Sequence, residues 1–255
     1  MIRKTLLSAL LFLTLFCSIP LLAATPLETL NYKVIYRWGL VNKQAGRASF
    51  KLYDHGHGQY QAIMCARTEP WADHFFSVRD TLISTFSATT HLPTLYNRIA
   101  HEGGRYASDI VRFSISGRVT SARCTNLRRG KKDKTVSKSE HSLKTEGDAV
   151  DLLSSFYYLR DLDLSNMKPG KVTTVSIFSG KRKETLRITY NGLETIKING
   201  KKQSTYKVTF TFTSGAEKNT SDPIKAWLST DRDKIPLKLE GQLKIGKIQC
   251  IFTGH

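Results

Sequence analysis

From residue 29 the chain alternates. Leu30, Tyr32, Val34 and Tyr36 fall on one side of an extended backbone and Asn31, Lys33, Ile35 and Arg37 on the other, ahead of Trp38-Gly39. Period-two alternation rich in β-branched and aromatic residues marks a half-buried strand. The same texture returns over residues 47–53, 60–68, 78–86, 94–101, 105–114, 119–126 and 135–139, interrupted by turn sequences such as Asp54-His55-Gly56-His57-Gly58 and Ser116-Gly117. Beyond the turn Met167-Lys168-Pro169-Gly170, strands are expected over 171–178, 184–190, 194–198, 204–213, 224–229, 235–240 and 246–252. Asn191-Gly192 and Asn199-Gly200 predict two-residue hairpin turns, because both residue types accept the positive φ such turns need.

One segment has a different period. Leu152, Phe156 and Leu159 share a helical face that Val150, Leu153 and Tyr157 broaden, and Gly147-Asp148 offers an N-cap, so a helix is expected over 148–160 with Phe156 as its central contact. Pro70 can start a shorter turn over 70–76, which carries Trp71, His74, Phe75 and Phe76. A helix with so broad an apolar face must lie against a sheet. Antiparallel sheets of more than about ten strands curl, split or close. The expected fold is therefore all-β: a single curled antiparallel sheet, an open barrel or β-spiral, with one buried helix near 148–160.

The N-terminus sets the compartment. Arg3-Lys4, an apolar run from Leu6 to Leu22 and Ala23-Ala24 before Thr25-Pro26 form the n-region, h-region and small-residue cleavage site of a secretory signal. The expected division is a signal peptide over 1–24 and one domain over 25–255, mature from Thr25 and periplasmic. Leu15-Phe16 before Cys17 are too large for a lipoprotein signal. Cleavage leaves 37 Lys and Arg against 21 Asp and Glu, a net charge of +16. Outside the cytoplasm such charge points to anionic headgroups or acidic glycans, with no nucleic acid expected. Nine cations between Arg118 and Lys144 face only Asp133 and Glu140, and Arg128, Arg129, Lys131, Lys132 and Lys134 are the densest part. They are the candidate contact with an anionic membrane surface, against the plainer reading of a solvated hairpin tip. Lys181-Arg182-Lys183 repeats the ambiguity on a smaller scale.

Three cysteines remain after cleavage, Cys65, Cys124 and Cys250, where disulfides can form. Cys124–Cys250 is the pairing expected, since it would tie the first half to the last strand. No C-x-x-C or His/Cys cluster suggests a metal, and no cofactor is expected.

Several stretches carry a resemblance. Tyr36-Arg37-Trp38-Gly39 with Ala45-Gly46, Phe75 to Asp80, His101-Glu102-Gly103-Gly104, Asp151 to Arg160, and Ala226 to Asp231 leading into Ile235 to Gly241 resemble, in order, the exported bacterial family known as domain of unknown function 3108. The resemblance implies a periplasmic protein with no assigned reaction. By analogy it suggests kinship with curled-sheet proteins like the lipoprotein carriers of the Lol pathway; fold alone does not settle function.

The residues support three function classes. Trp38, Trp71, Phe75, Phe76, Phe156, Tyr157 and Trp227 are candidates to line a pocket for a lipid, a lipoprotein acyl chain or another amphiphile, although aromatics in strands are more often core. Such a binding or carrier module would be a non-enzymatic monomer. A barrel filled with side chains would instead suit an envelope-integrity factor working through protein contacts. A hydrolase would need Asp73-His74 or Arg79-Asp80 beside a nucleophile, but G-x-S-x-G, S-x-x-K and H-E-x-x-H are absent. Arg79-Asp80 and Asp231-Arg232 read as structural ion pairs, and His55-Gly56-His57 as an exposed turn rather than a metal site.

Overall fold

Alternation becomes one sheet in the computed structural model, which describes residues 25–180, 182–214 and 219–255. The expected signal peptide and Lys181 lie outside the described residues. Strands β1 (Glu28–Trp38), β2 (Val41–Gly56), β3 (Gln59–Thr68), β4 (Val78–Ser87), β5 (Pro93–Glu102), β6 (Arg105–Ser116), β7 (Val119–Arg129) and β8 (Ser137–Glu146) form an antiparallel meander in chain order. Helix α1 (Pro70–Asp73) sits between β3 and β4, and the short β9 (Ala149–Val150) leads to helix α2 (Ser154–Asp161). The return half is β10 (Val172–Phe178), β11 (Lys183–Ile198), β12 (Lys201–Ser214), β13 (Asn219–Thr220), β14 (Ile224–Ser229), β15 (Pro236–Gln242) and β16 (Lys247–Gly254). Strand β16 pairs with β1, with Lys33 opposite Ile251 and Tyr36 opposite Ile248, so the first and last strands meet in the middle of the sheet.

The free edges curl toward each other. Thr145 and Ser176 share a hydroxyl contact of 3.1 Å, His141 reaches the Gly180 carbonyl at 3.0 Å, and Phe113 stacks on Phe178. Side chains thus nearly close a barrel whose β8 and β10 ladders do not join.

Three expectations need correction. Asn191-Gly192 is no hairpin turn, because β11 runs through it with a register shift and Asn191 Oδ1 accepts from Thr209 Oγ1 at 2.7 Å. The turn is at Asn199 (φ +48°) and Gly200 (φ +84°). Strand β8 starts later than expected and runs on to Glu146; its residues are mostly polar and exposed, so hydrophobic period could not locate it. The helix is shorter than 148–160: Ala149 and Val150 pair parallel with Ser176 and Ile177, Leu153 is the N-cap residue, and Asp151 caps the turn that leads into it. Its carboxylate accepts from the Leu153 and Ser154 N–H groups (2.7 and 2.8 Å), while Ser154 Oγ accepts from the Asp151 N–H at 2.9 Å, a reciprocal capping box.

Helix α2 touches the whole interior. Leu153 and Tyr157 pack with Phe86, Tyr96, Val111 and Phe178, Leu159 with Ile177, Ile188 and Leu228, and Phe156 against the Leu30, Tyr32 and Leu237 group. Antiparallel order puts the loops at 39–40, 69–77, 103–104, 130–136 and 243–246 at one end of the barrel, and those at 57–58, 88–92 and 230–235 at the other. The C-terminal turn of α2 closes the second end. There Arg160 pairs bidentately with Glu28 (2.7 and 2.8 Å) and donates to the Asp233 carbonyl, while Asp161 meets His91.

Candidate functional site: an apolar cavity and its mouth

The first end of the barrel stays open because small residues face each other there. Ala48 and Ala66 occupy inward positions of β2 and β3, with Ala48 opposite both Tyr32 and Ala66, where larger side chains would fill the lumen, while Gly46 lets β2 approach the Arg67 carbonyl of β3. A cavity of about 350 Å³ results, walled by these residues with Val34, Met64, Val78, Leu239 and Ile248, and by Phe156 of α2. Phe50 stacks on Phe156 at 4.7 Å and completes that side. Cys250 also lines the cavity, and burial pushes its thiol up to about 11, so it stays neutral. Tyr32 buries its hydroxyl without a hydrogen-bond partner.

A second apolar cavity of about 400 Å³ lies at the mouth, between Tyr36, Trp38, Val41, Trp71, Ala72, Phe75 and Phe76. The two share Ala45, Thr68 and Ile248, so they lie side by side at this end of the barrel. Segment α1 and its flanks are clamped in place: Glu69 receives Arg47 at 2.8 Å and Gln44 at 3.0 Å, and Trp71 Nε1 donates to the Gln44 carbonyl at 2.7 Å. Hydrogen bonding from Arg47 holds the Glu69 carboxyl below the usual range, and Arg79 does the same for Asp73. His74 meets the Pro70 carbonyl at 2.9 Å, so the Asp73-His74 pair is occupied in holding the segment.

Of the aromatic candidates, the fold brings together Trp38, Trp71, Phe75 and Phe76 at the mouth and Phe156 inside. Two are elsewhere. Tyr157 is 4% exposed and packs on Phe86 and His91, and Trp227 lies between Lys207 and Lys238 with its Nε1 on Glu194. On the basic hairpin, Arg129, Lys131, Lys132 and Lys134 are exposed, but Arg128 is half-buried against Asp109 and the Ser108 carbonyl and is structural. The expected Cys124–Cys250 disulfide is not formed; both thiols are free and belong to different core groups, and Cys65 is free and exposed. Asp80 pairs with Arg98 rather than Arg79, and Asp231 caps the turn after β14 through the Asp233 and Lys234 N–H groups. Among the described residues no group of three or more His, Cys, Asp or Glu side chains gathers as a metal site.

A polar groove on the outer wall escaped the sequence reading. Lys33, Arg47, Arg67 and Arg79 stand directly opposite one another on β1 to β4 and, with His101, line a space of about 810 Å³. Only strand register could have revealed this row.

The model of a family described as protein of unknown function (DUF3108) matches residues 31–253. The chain belongs to that family. No curated protein matches this DUF3108 member significantly. Among solved structures, the beta-barrel-like protein of domain of unknown function DUF1849 from Brucella abortus is similar to it with a TM-score of 0.59, covering 88% of this chain and 94% of that one at 10% identity. Likeness at that identity shows the fold alone.

Proposed function

We propose that this DUF3108 protein is a non-enzymatic periplasmic binding or carrier module that shelters the apolar part of a lipid, lipoprotein or other amphiphile inside its barrel. The observation that carries the reading is the pair of adjacent apolar cavities, one at the Trp38, Trp71, Phe75 and Phe76 mouth and one reaching Phe156. Both cavities fall within the roughly 300–1,000 Å³ range of small-molecule sites, and their walls are almost wholly apolar. A filled lumen would have favoured the protein-contact alternative; the small side chains of Ala48 and Ala66 leave space in it. The signal-like N-terminus supports export.

Native mass spectrometry of protein isolated from its own envelope tests the reading by asking for a co-purified lipid-sized adduct. Ala66→Phe, which places a ring in the cavity, should abolish both the adduct and the uptake of a fluorescent fatty acid while leaving the fold intact by circular dichroism. An adduct-free wild type that also takes up no fatty acid would end the proposal.

A further inference from the structure

The end of the barrel that opens on the cavity carries an unusual surface. Leu40 is 105% exposed, Phe75 83%, Ile245 60%, Trp38 58%, Phe76 53% and Leu243 45%. These residues come from three separate segments, the β1–β2 turn, α1 with its flank, and the β15–β16 turn, and all three lie at the same end. Large apolar side chains gathered at loop tips around a cavity mouth mark an interaction surface.

Charge identifies the partner. The loop 130–136 lies at this end too, with Lys131, Lys132 and Lys134 exposed, and Lys43 and Lys244 stand beside the apolar tips. The turn 103–104 links the two groups, because a side chain at Gly103 would meet the Phe76 ring and one at Gly104 the stem of Lys131. Among the described acids beside α1 and the basic loop, Glu69 pairs with Arg47, Asp73 with Arg79 and Glu102 with Arg98, and Asp133 accepts from the Gly130 N–H at 2.9 Å. Protein interfaces are depleted in lysine, whereas anionic bilayers attract it, and interfacial binding combines cations with Trp, Phe and Leu on one face. Among the described residues no helix is long and apolar enough to cross a membrane, so docking by these tips would be peripheral.

We infer that this end is a docking face for an anionic bilayer: Trp38, Leu40, Phe75, Phe76, Leu243 and Ile245 enter the headgroup region, Lys131, Lys132 and Lys134 contact lipid phosphates, and the cavity mouth is pressed against the membrane. This deepens the carrier reading by naming where its ligand enters and leaves. Its test needs no ligand.

Flotation of the secreted full chain with phosphatidylglycerol/phosphatidylethanolamine vesicles, and with phosphatidylcholine vesicles, is the experiment. Wild type should bind the anionic vesicles and weaken as salt rises. Leu40→Glu with Phe75→Glu should lower partitioning at least about tenfold for each side chain removed from lipid. Lys131→Glu, Lys132→Glu and Lys134→Glu together should lower it by at least about a hundredfold, at about fivefold per cation, and flatten the salt dependence. All five positions are exposed, so melting should stay at the wild-type temperature. Brominated lipid should quench Trp38 and Trp71 but not Trp227, which packs on the outer wall. Equal binding by wild type and both variants, or no binding to anionic vesicles, would overturn the inference, as would capture of a protein partner through these tips by a chain that ignores vesicles. Ala66→Phe should bind vesicles as wild type does, which separates failure of the docking face from failure of the cavity.

Discussion

Removing Phe156 and removing Tyr157 should have different consequences, although the two are neighbours on one helix. Phe156 is half-buried, stacks on Phe50 at 4.7 Å with an interplanar angle of 17°, and looks into a space already present. Phe156→Ala therefore loses part of the roughly 1.5–3 kcal/mol of a buried aromatic and about 1 kcal/mol of ring pairing, but creates little new void. The expected cost is about 2 kcal/mol. Tyr157 is 4% exposed and wedged against Phe86, and its hydroxyl has no partner to lose. Tyr157→Ala opens a sealed void and should cost about 3–5 kcal/mol. In a domain of this size 1 kcal/mol moves Tm by about 2–4 °C, so Phe156→Ala should melt about 4–8 °C below wild type and Tyr157→Ala at least several degrees lower again. Fatty-acid uptake supplies the second readout: Phe156→Ala removes the aromatic ring from the cavity wall and should alter affinity, whereas Tyr157→Ala should act mainly through stability. A Phe156→Ala protein that melts as low as Tyr157→Ala and binds the probe unchanged would make Phe156 ordinary core and remove the cavity's inner wall from the account.

Three further outcomes are expected. Burial raises Asp151 from 3.8 to about 6, so between those values the native state holds a proton the unfolded chain has released and stability falls as pH rises; Asp151→Asn keeps the capping oxygen and should gain on wild type by up to about 3 kcal/mol between pH 4 and 7, and a pH-independent difference in urea melts would refute this. A Cβ at Gly46 would lie 2.6 Å from the Arg67 carbonyl oxygen, whereas one at Gly200 would meet nothing within 4 Å, so Gly46→Ala should destabilise by more than the roughly 1–2 kcal/mol of left-handed strain expected for Gly200→Ala, with equal melting temperatures counting against the close β2–β3 approach. Cys65 is exposed while burial raises Cys124 and Cys250 to about 11, so maleimide should label Cys65 first in the native protein, and early labelling of Cys124 would contradict the packing around it.

Strands were legible where one face is apolar and the other is not. Leu30 and Tyr32, Ala62 and Met64, and Leu186, Ile188 and Tyr190 announce their strands by period alone. Edge strand β8 buries so little that its pattern is nearly all polar, and the bulge at Asn191-Gly192 has the same dipeptide as a hairpin turn. What separates the two Asn-Gly sites is tertiary: Thr209 on β12 holds Asn191 within the ladder, while Asn199 donates to the Phe252 carbonyl at the end of its hairpin. The helix began late for a similar reason, since Val150 has a helical neighbour pattern in sequence but a parallel strand partner in space.

The site was half legible, and the missing half follows from geometry. Bulky residues at the mouth stand out in a sequence, but the cavity exists because of what is small, and Gly46, Ala48 and Ala66 gain meaning only when register sets β2 beside β3. Register likewise opposes Lys33 to Arg47, Arg47 to Arg67 and Arg67 to Arg79, an arrangement that like-charge repulsion across strands disfavours. Glu69 and Asp73 relieve Arg47 and Arg79, and both acids flank Trp71 on the segment that forms the mouth. The outer charges therefore have a structural consequence for the inner site, since the arginines that crowd the wall also clamp the aromatic rim over the cavity. Glu69→Ala should then both loosen the mouth, seen as greater solvent exposure of Trp71 fluorescence, and leave three adjacent like charges less compensated. A Trp71 spectrum unchanged by that substitution would show that the rim is held by its apolar packing alone.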